Sequence, residues 1–288
     1  MRYQAIRLGV IAAMTVLVTA CGQAQSGVGL SNIFASAAGK KESPAPKRVT
    51  VRPFADSYYD AADGLSGRAL LMALNRIVAR HTDVGYDQAR DFMFGAVDDL
   101  DNDDVVRCVY IGRALEKVSN RSSAYRNGDG LNAEHTWPQS LGAEGTARSD
   151  LHHLFPADIR TNGLRGSLPF GEVKKVEWTG GGSVLGLDGW GKRVFQPRAE
   201  QKGNTARALL YFYTVYGASA ALNVTNFKVE EDVIKRWHVE DPVNAEEQAR
   251  NAMVYNVQGN RNPYIDHPEF VARVGTFRTQ ANERIRPR

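Results

Sequence analysis

Residues 132–140 read NAEHTWPQS. A carboxylate and an imidazole stand side by side at Glu134 and His135, with Trp137 and Pro138 just behind them. Neighbouring side chains on an extended strand point to opposite faces. For both groups to serve one site, the strand must end, twist or bulge here. Pro138 has no N–H to give a sheet ladder, so it is placed to end the strand. The pair by itself is equally compatible with two polar residues in a loop, and the surrounding sequence has to decide.

The deciding neighbour lies downstream. Residues 149–173, SDLHHLFPADIRTNGLRGSLPFGEV, crowd two His, two Asp, an Asn and two Arg into one short segment. Asn162 offers a neutral carbonyl oxygen, a hard ligand for a divalent cation. Arg160 and Arg165 offer guanidinium forks for phosphate, and Arg148 just upstream is a third candidate. His135 offers a base that titrates near neutrality. Asn162 and Arg165 are three residues apart, so on a helix they share a face. Arg165 can then hold a phosphate while Asn162 holds a metal; the competing reading of Arg165 is a salt bridge within the fold. His152 and His153 could join His135 as zinc ligands. Alternatively His153 is a structural donor beside Leu154 and Phe155, and His152 orients the site. Asp150 reads as a buttress to a loop or a histidine, and Trp137 as packing.

Outward from this segment the chain is a globular protein with an export signal. It has 288 residues, 43% hydrophobic and 24% charged, with a net charge of +4. That composition supports an ample core. The mild basic excess permits a polyanion ligand without demanding one. Arg2 and Arg7 precede an apolar run, Leu8 to Val18, too short for a comfortable membrane span. Residues 1–20 therefore read as a signal peptide. Val18-Thr19-Ala20-Cys21 resembles a bacterial lipobox, which implies cleavage before Cys21 and lipidation of its thiol; the alternative is an ordinary signal cut after Ala20. Gly22 rather than Asp after the cysteine favours the outer membrane. An outer-membrane lipoprotein is thus expected, or a secreted protein if Cys21 is not lipidated. Loss of Arg2 and Arg7 leaves 34 basic against 32 acidic residues, a net +2. Residues 21–50, rich in Gly, Ala, Ser and Lys, read as a flexible tether. The folded domain is expected over 51–288.

Within that domain the periodicity predicts a helix from Ser66 to about His81, striped by Leu70, Leu71, Leu74, Ile77 and Val78. Asp87 is expected to cap a second helix carrying Phe92, Met93, Phe94 and Val97. The acidic run Asp98 to Asp104 lacks the glycine and distal glutamate of an EF-hand and reads as a solvated turn. Residues 105–111 predict a buried strand containing Cys108, and 171–195 a hairpin or ordered loop. Further helices are expected over 205–216 behind Asn204, over 229–238, and over 245–257 between Asn244 and Gly259. The fold class is α+β: a helix-rich single domain with a little strand around the suspected site.

Taken together, Glu134-His135-Thr136-Trp137-Pro138-Gln139-Ser140, then Ser149-Asp150-Leu151-His152-His153-Leu154, then Asn162-Gly163-Leu164-Arg165-Gly166 resemble the endonuclease I family of secreted nucleases. The C-terminal QGNRNPYIDHPE, residues 258–269, extends the resemblance, which covers roughly residues 58 to 270. It implies a ββα-metal, or His-Me finger, core that clamps one cation. It further implies His135 as general base and Glu134 and Asn162 as ligands of Mg²⁺, with Ca²⁺ or Mn²⁺ as possible substitutes. The substrate would be DNA, RNA or both, cut without sequence selection to leave 5′-phosphate ends. Two competing readings stay open: a zinc hydrolase built on His135, His152 and His153, and a surface lipoprotein that binds nucleic acid without cutting it.

Overall fold

The structure, a computed structural model, describes residues 53–278. The expected signal peptide, Cys21 with its lipidation, and the tether lie outside the described residues. After a short turn, α1 (Gly67–Val78) buries Leu70, Leu71, Leu74 and Val78 on one face. Ser66 stands at its N-cap, though its side chain makes no capping bond. In α2 (Tyr86–Phe92) the cap is Gly85, at φ 77°, and not the Asp87 expected. Asp87 sits in the first turn, where its charge suits the helix N-terminus. A π turn, Met93–Val97, continues α2 and drives Met93, Phe94 and Val97 into the core. The acidic run is a turn organised by Asp99, whose carboxylate accepts from the N–H groups of Asp103 and Asp104.

The strand expected over 105–111 is far shorter. Only β1 (Val106–Arg107) pairs, antiparallel, with β2 (Ala114–Leu115). The chain then turns, and the buried Cys108 Sγ accepts from Ile111 N and Asp158 N. The apolar run recorded burial and not extension, a known ambiguity of short apolar stretches. α3 (Arg121–Tyr125) follows, closed by a capping box between Asn120 and Ser123. Next come β3 (Leu131–His135), α4 (Thr146–Ser149), β4 (Leu154–Asp158) and α5 (Ile159–Arg165). A second sheet, β5 (Lys175–Gly180), β6 (Ser183–Leu187) and β7 (Arg193–Gln196), is antiparallel in that order.

α6 (Ala199–Tyr216) is the central pillar. It begins before Asn204, so that residue lies inside the helix and Arg198 takes the cap position. Leu209, Leu210, Tyr211 and Phe212 are all buried, so the helix is covered on every side. Trp137 stacks on Phe212 at 5.0 Å and His153 packs on the same ring at 4.5 Å. α7 (Thr225–Glu240) lies along α6, with Phe227 stacked on Tyr213 at 4.3 Å. α8 (Ala245–Gln258) is capped by Asn244 and closed by Gly259 in the left-handed region, as the sequence predicts. The short helices α9 (Pro263–Asp266) and α10 (Phe270–Val274) complete the chain.

Long-range bonds tie the two ends of the described chain together. Arg273 Nη2 donates to Leu65 O (2.7 Å) and Ala62 O (3.2 Å). Asn260 Nδ2 donates to Val78 O at 2.7 Å, and Tyr59 OH to Asp266 Oδ2 at 2.7 Å. Asp150 is the hub beneath β4. Its carboxylate accepts from Tyr211 OH, Tyr216 OH, His152 N and Gln258 Nε2 at 2.8–3.0 Å. Burial opposes its charge, but His152, His81 and His153 and the Gln258 bond outweigh burial and hold the carboxyl below its ordinary range.

A buried acid on α7 behaves in the opposite sense. Glu230 accepts from Phe170 N at 2.7 Å, and burial pushes its carboxyl from 4.5 up to about 7. Between those values the native state holds a proton that the unfolded chain has released, so stability falls as pH rises through the window. The loss amounts to roughly 3 kcal/mol. Glu230→Gln keeps the acceptor and removes the titration. In urea unfolding the variant is expected to be more stable than the parent near pH 8, with the two converging near pH 4. Parallel curves across that range would contradict the buried acid.

Candidate active site

β3 and β4 pair antiparallel, from Leu131 opposite Asp158 to His135 opposite Leu154. Asp158 both ends β4 and caps α5. Its Oδ1 accepts from Arg160 N, Thr161 N and Thr161 Oγ1 at 3.0–3.1 Å, while Oδ2 takes Arg113 Nη1 at 2.8 Å. An aspartate at N-cap satisfies orphan N–H groups and favours the positive end of the helix. The cap turns α5 back across the hairpin and produces a strand–strand–helix unit.

α5 is fastened to β3 by two side chains. Asn162 Nδ2 donates to Asn132 Oδ1 (2.8 Å) and to Ala133 O (3.3 Å). A carbonyl only accepts, so the amide nitrogen is the atom facing β3, and Asn162 Oδ1 is turned away from it. Arg165 Nη1 donates to His135 O at 3.0 Å and Nη2 to Thr136 O at 2.8 Å. Nη1 also lies 2.9 Å from Glu134 Oε1, with both side chains 2% exposed. This guanidinium links Glu134 to the backbone of His135. Its placement differs from that expected of a phosphate clamp: it is buried, and its Nη atoms are engaged with carbonyls and a carboxylate. The salt-bridge reading of Arg165 describes its surroundings.

His135 closes β3. Thr136 still bonds to His153 O, after which the chain leaves the sheet, so the strand does end here. The ring is 6% exposed and packs against Tyr86 at 5.4 Å and His153 at 5.5 Å. Its Nε2 lies 3.2 Å from Arg148 O. That partner is a carbonyl, so Nε2 carries the hydrogen and Nδ1 keeps the lone pair. Gln139 Nε2 faces Nδ1 at 3.4 Å. Burial, reinforced by His153, pushes the ring's pKa down to about 3, which leaves a neutral imidazole at neutral pH. Glu134 shifts upward, because burial outweighs the attraction of Arg165 and a hydrogen bond from Tyr110.

Of the other candidates, Arg148 is exposed, and its guanidinium lies over the Tyr86 ring at 4.1 Å, with Arg90 over the same ring at 4.3 Å. The result is a basic shelf beside His135. Arg160 is not drawn in: it is 86% exposed on α5 and only 4.0 Å from Asp129. His152 turns away, with Nε2 on Asn260 O and its ring on Tyr211 at 4.4 Å. His153 Nε2 holds Ala147 O at 2.7 Å. Three residues of the site went unread in the sequence. Asn132 precedes Glu134 by two, a spacing that puts both on one strand face; that signal was present. Gln139 reaches His135 locally, four residues on, whereas Tyr86 reaches it through tertiary packing and carries no local sign.

The sequence model of the endonuclease I family matches residues 66–269. The chain belongs to the endonuclease I family. Among similar proteins is an extracellular ribonuclease of Bacillus amyloliquefaciens, 34% identical over 244 residues, covering 79% of this chain and 81% of the relative. An extracellular ribonuclease of Bacillus subtilis (strain 168) is 31% identical over 268 residues, covering 87% and 90%. A periplasmic deoxyribonuclease of Aeromonas hydrophila is 30% identical over 122 residues, or 41% and 47%. The α+β, helix-rich architecture is that of an endonuclease I nuclease domain.

The endonuclease I resemblance implies Mg²⁺, and the residues present fit a hard cation. Glu134 Oε1 is fully buried and receives no hydrogen bond, its contact with Arg165 being an ion pair without donor alignment. Such an oxygen costs stability unless something else satisfies it. A carboxylate and the carbonyl oxygen of Asn162 are the oxygen donor types Mg²⁺ accepts when water and substrate complete its shell. Among the described residues no three His, Cys, Asp or Glu side chains converge. With His152 and His153 each held on a backbone carbonyl, the geometry gives a His135-His152-His153 zinc centre no support.

Proposed function

We propose that this protein is an exported, Mg²⁺-dependent endonuclease that hydrolyses phosphodiester bonds of RNA and DNA without sequence selection. The observation that carries the reading is the His135 ring, held with Nε2–H on Arg148 O and with its Nδ1 lone pair turned to the Gln139 amide at 3.4 Å. His135 accepts the proton of the attacking water at Nδ1. Arg148, exposed beside it, meets the substrate phosphate as a charge-assisted donor. Arg165 positions Glu134 and the end of β3. Glu134 and Asn162 hold the cation, which when bound neutralises charge on the phosphate and acidifies water for the leaving oxygen. Ca²⁺ or Mn²⁺ is expected to substitute to some degree. The products carry 5′-phosphate and 3′-hydroxyl ends. The near full-length likeness to proteins named ribonucleases favours RNA; the shorter likeness to a deoxyribonuclease keeps DNA in range. The relatives' names, extracellular and periplasmic, support export. Val18 to Cys21 favours an outer-membrane form lipidated at Cys21, which mass spectrometry of the mature N-terminus tests.

The activity test pairs supercoiled plasmid with structured RNA, each in Mg²⁺ and in EDTA. Cleavage of either in Mg²⁺ and of neither in EDTA is expected; cleavage that survives EDTA sinks the cation. Asn132 gives a sharper test. It holds Asn162 in place, and loss of such outer partners weakens metal sites by about 10–100-fold. Asn132→Ala is therefore expected to raise the Mg²⁺ concentration for half-maximal activity by that factor, with the rate at saturating Mg²⁺ largely kept.

A further inference from the structure

The hairpin between β6 and β7 ends in a tip, residues 188–192, where Trp190 is 93% exposed. The tip is an ordered turn. Asp188 Oδ1 accepts from Trp190 N at 2.9 Å and from Lys192 N at 2.8 Å, and Asp188 N donates to Lys192 O at 2.8 Å. A large indole held in water on an ordered turn is the kind of exposure that marks a binding surface.

The tip borders a groove of about 650 Å³ between the second sheet and α7, floored by Phe170 and Val233. Lys174, Lys192, Lys228 and Arg236 line it. The acids of the same groove are already engaged. Glu172 accepts from Trp237 Nε1, Asp188 holds the tip, and Asp232 pairs with Arg278 at 2.7 Å. The groove therefore presents positive charge and one flat aromatic face. Beneath the surface its lining touches the candidate active site, because the buried Phe170 ring packs under the buried Arg165 guanidinium at 4.4 Å. Ser167 joins the two regions, bonding Ser140 at 2.6 Å and accepting from Asn226 on α7.

We propose that this groove binds a single-stranded segment of nucleic acid leading away from the cleaved bond. An unpaired base stacks on Trp190, and phosphates meet the lysines. The proposal rests on the nuclease reading for its ligand and adds a subsite to it. Single strands fit because stacking on an aromatic needs an exposed base face, which a duplex hides, and basic grooves with aromatic platforms bind them without sequence preference.

The test uses the whole protein in EDTA, where cleavage stops, with end-labelled oligouridylate and a duplex of matched length. Trp137 and Trp237 are buried and Trp178 half-buried, so Trp190 is the exposed indole among the four tryptophans. Oligouridylate is expected to quench the emission, and Trp190→Ala to abolish the quench. The same substitution is expected to weaken single-strand binding, read by anisotropy, about tenfold, with Trp190→Phe recovering most of it. An unchanged anisotropy affinity in Trp190→Ala, or an equal loss on the duplex, overturns the proposal. Cleavage in Mg²⁺ is scored separately. A protein that cuts but binds identically without Trp190 refutes the subsite alone. One that binds through Trp190 but cuts nothing refutes the nuclease reading and leaves the subsite standing.

Discussion

His135→Ala is expected to lower kcat by about 10²–10⁴-fold while nucleic-acid binding persists. The expectation follows from the ring's fixed tautomer. Nε2–H is held by Arg148 O and Nδ1 keeps its lone pair; burial keeps the ring neutral and also makes it a weaker base than a free imidazole. Removing the ring also empties space between Tyr86 and His153, and a structural loss has to be separated from a chemical one. Two further readouts separate them. Thermal unfolding reports any packing defect. The pH profile reports the chemistry: without its base, the variant depends on hydroxide and its rate climbs with pH, whereas the parent is flat. A variant with parental kcat, or one whose loss tracks unfolding and not pH, removes His135 from the reaction.

Arg165→Met is expected to cost about 3–5 kcal/mol of stability in the absence of any substrate. Its guanidinium is 2% exposed, forms an ion pair with Glu134 and donates to the carbonyls of His135 and Thr136. Truncating it strands a buried carboxylate and two acceptors. Arg165→Lys does not rescue fully, because an ammonium lacks the planar fork that reaches several acceptors at once. Glu134→Gln in the Arg165→Met background removes the stranded charge and is expected to restore part of the loss in urea denaturation. If Arg165 instead met the substrate phosphate, stability would hold and KM would rise; that outcome returns the clamp from Arg148 to Arg165.

The parts of this molecule that were legible in its sequence share a physical trait: their signals are local. The Asn244 and Gly259 stops of α8 are set by backbone geometry within a few residues, as is the stripe on α1. Glu134, His135 and Asn162 stand out as candidates because chemistry-bearing residues are concentrated in those segments. What failed depended on partners distant in sequence. The run 105–111 turned at Cys108 because Asp158 N and Pro156 O meet it there, which no local pattern records. Asparagine favours caps, yet Asn204 lies inside a helix that begins at Ala199. The burial of Arg165 among carbonyls is likewise a tertiary fact. Tyr86 was invisible for the same reason.

The bonds that join α1 and its leading turn to the C-terminal helices have a consequence for how the chain comes into being. Their partners stand between 182 and 211 residues apart. During synthesis α1 gains its α6 partner first, through Asn75 Nδ2 on Thr214 O, while the carbonyls of Ala62, Leu65 and Val78 wait for Arg273 and Asn260. Contacts of such separation also form slowly once available, since a long loop must close before they reward it. A chain built this way cannot finish folding from its N-terminus onward; its first helix is fixed fully only when the C-terminal segment has closed on it.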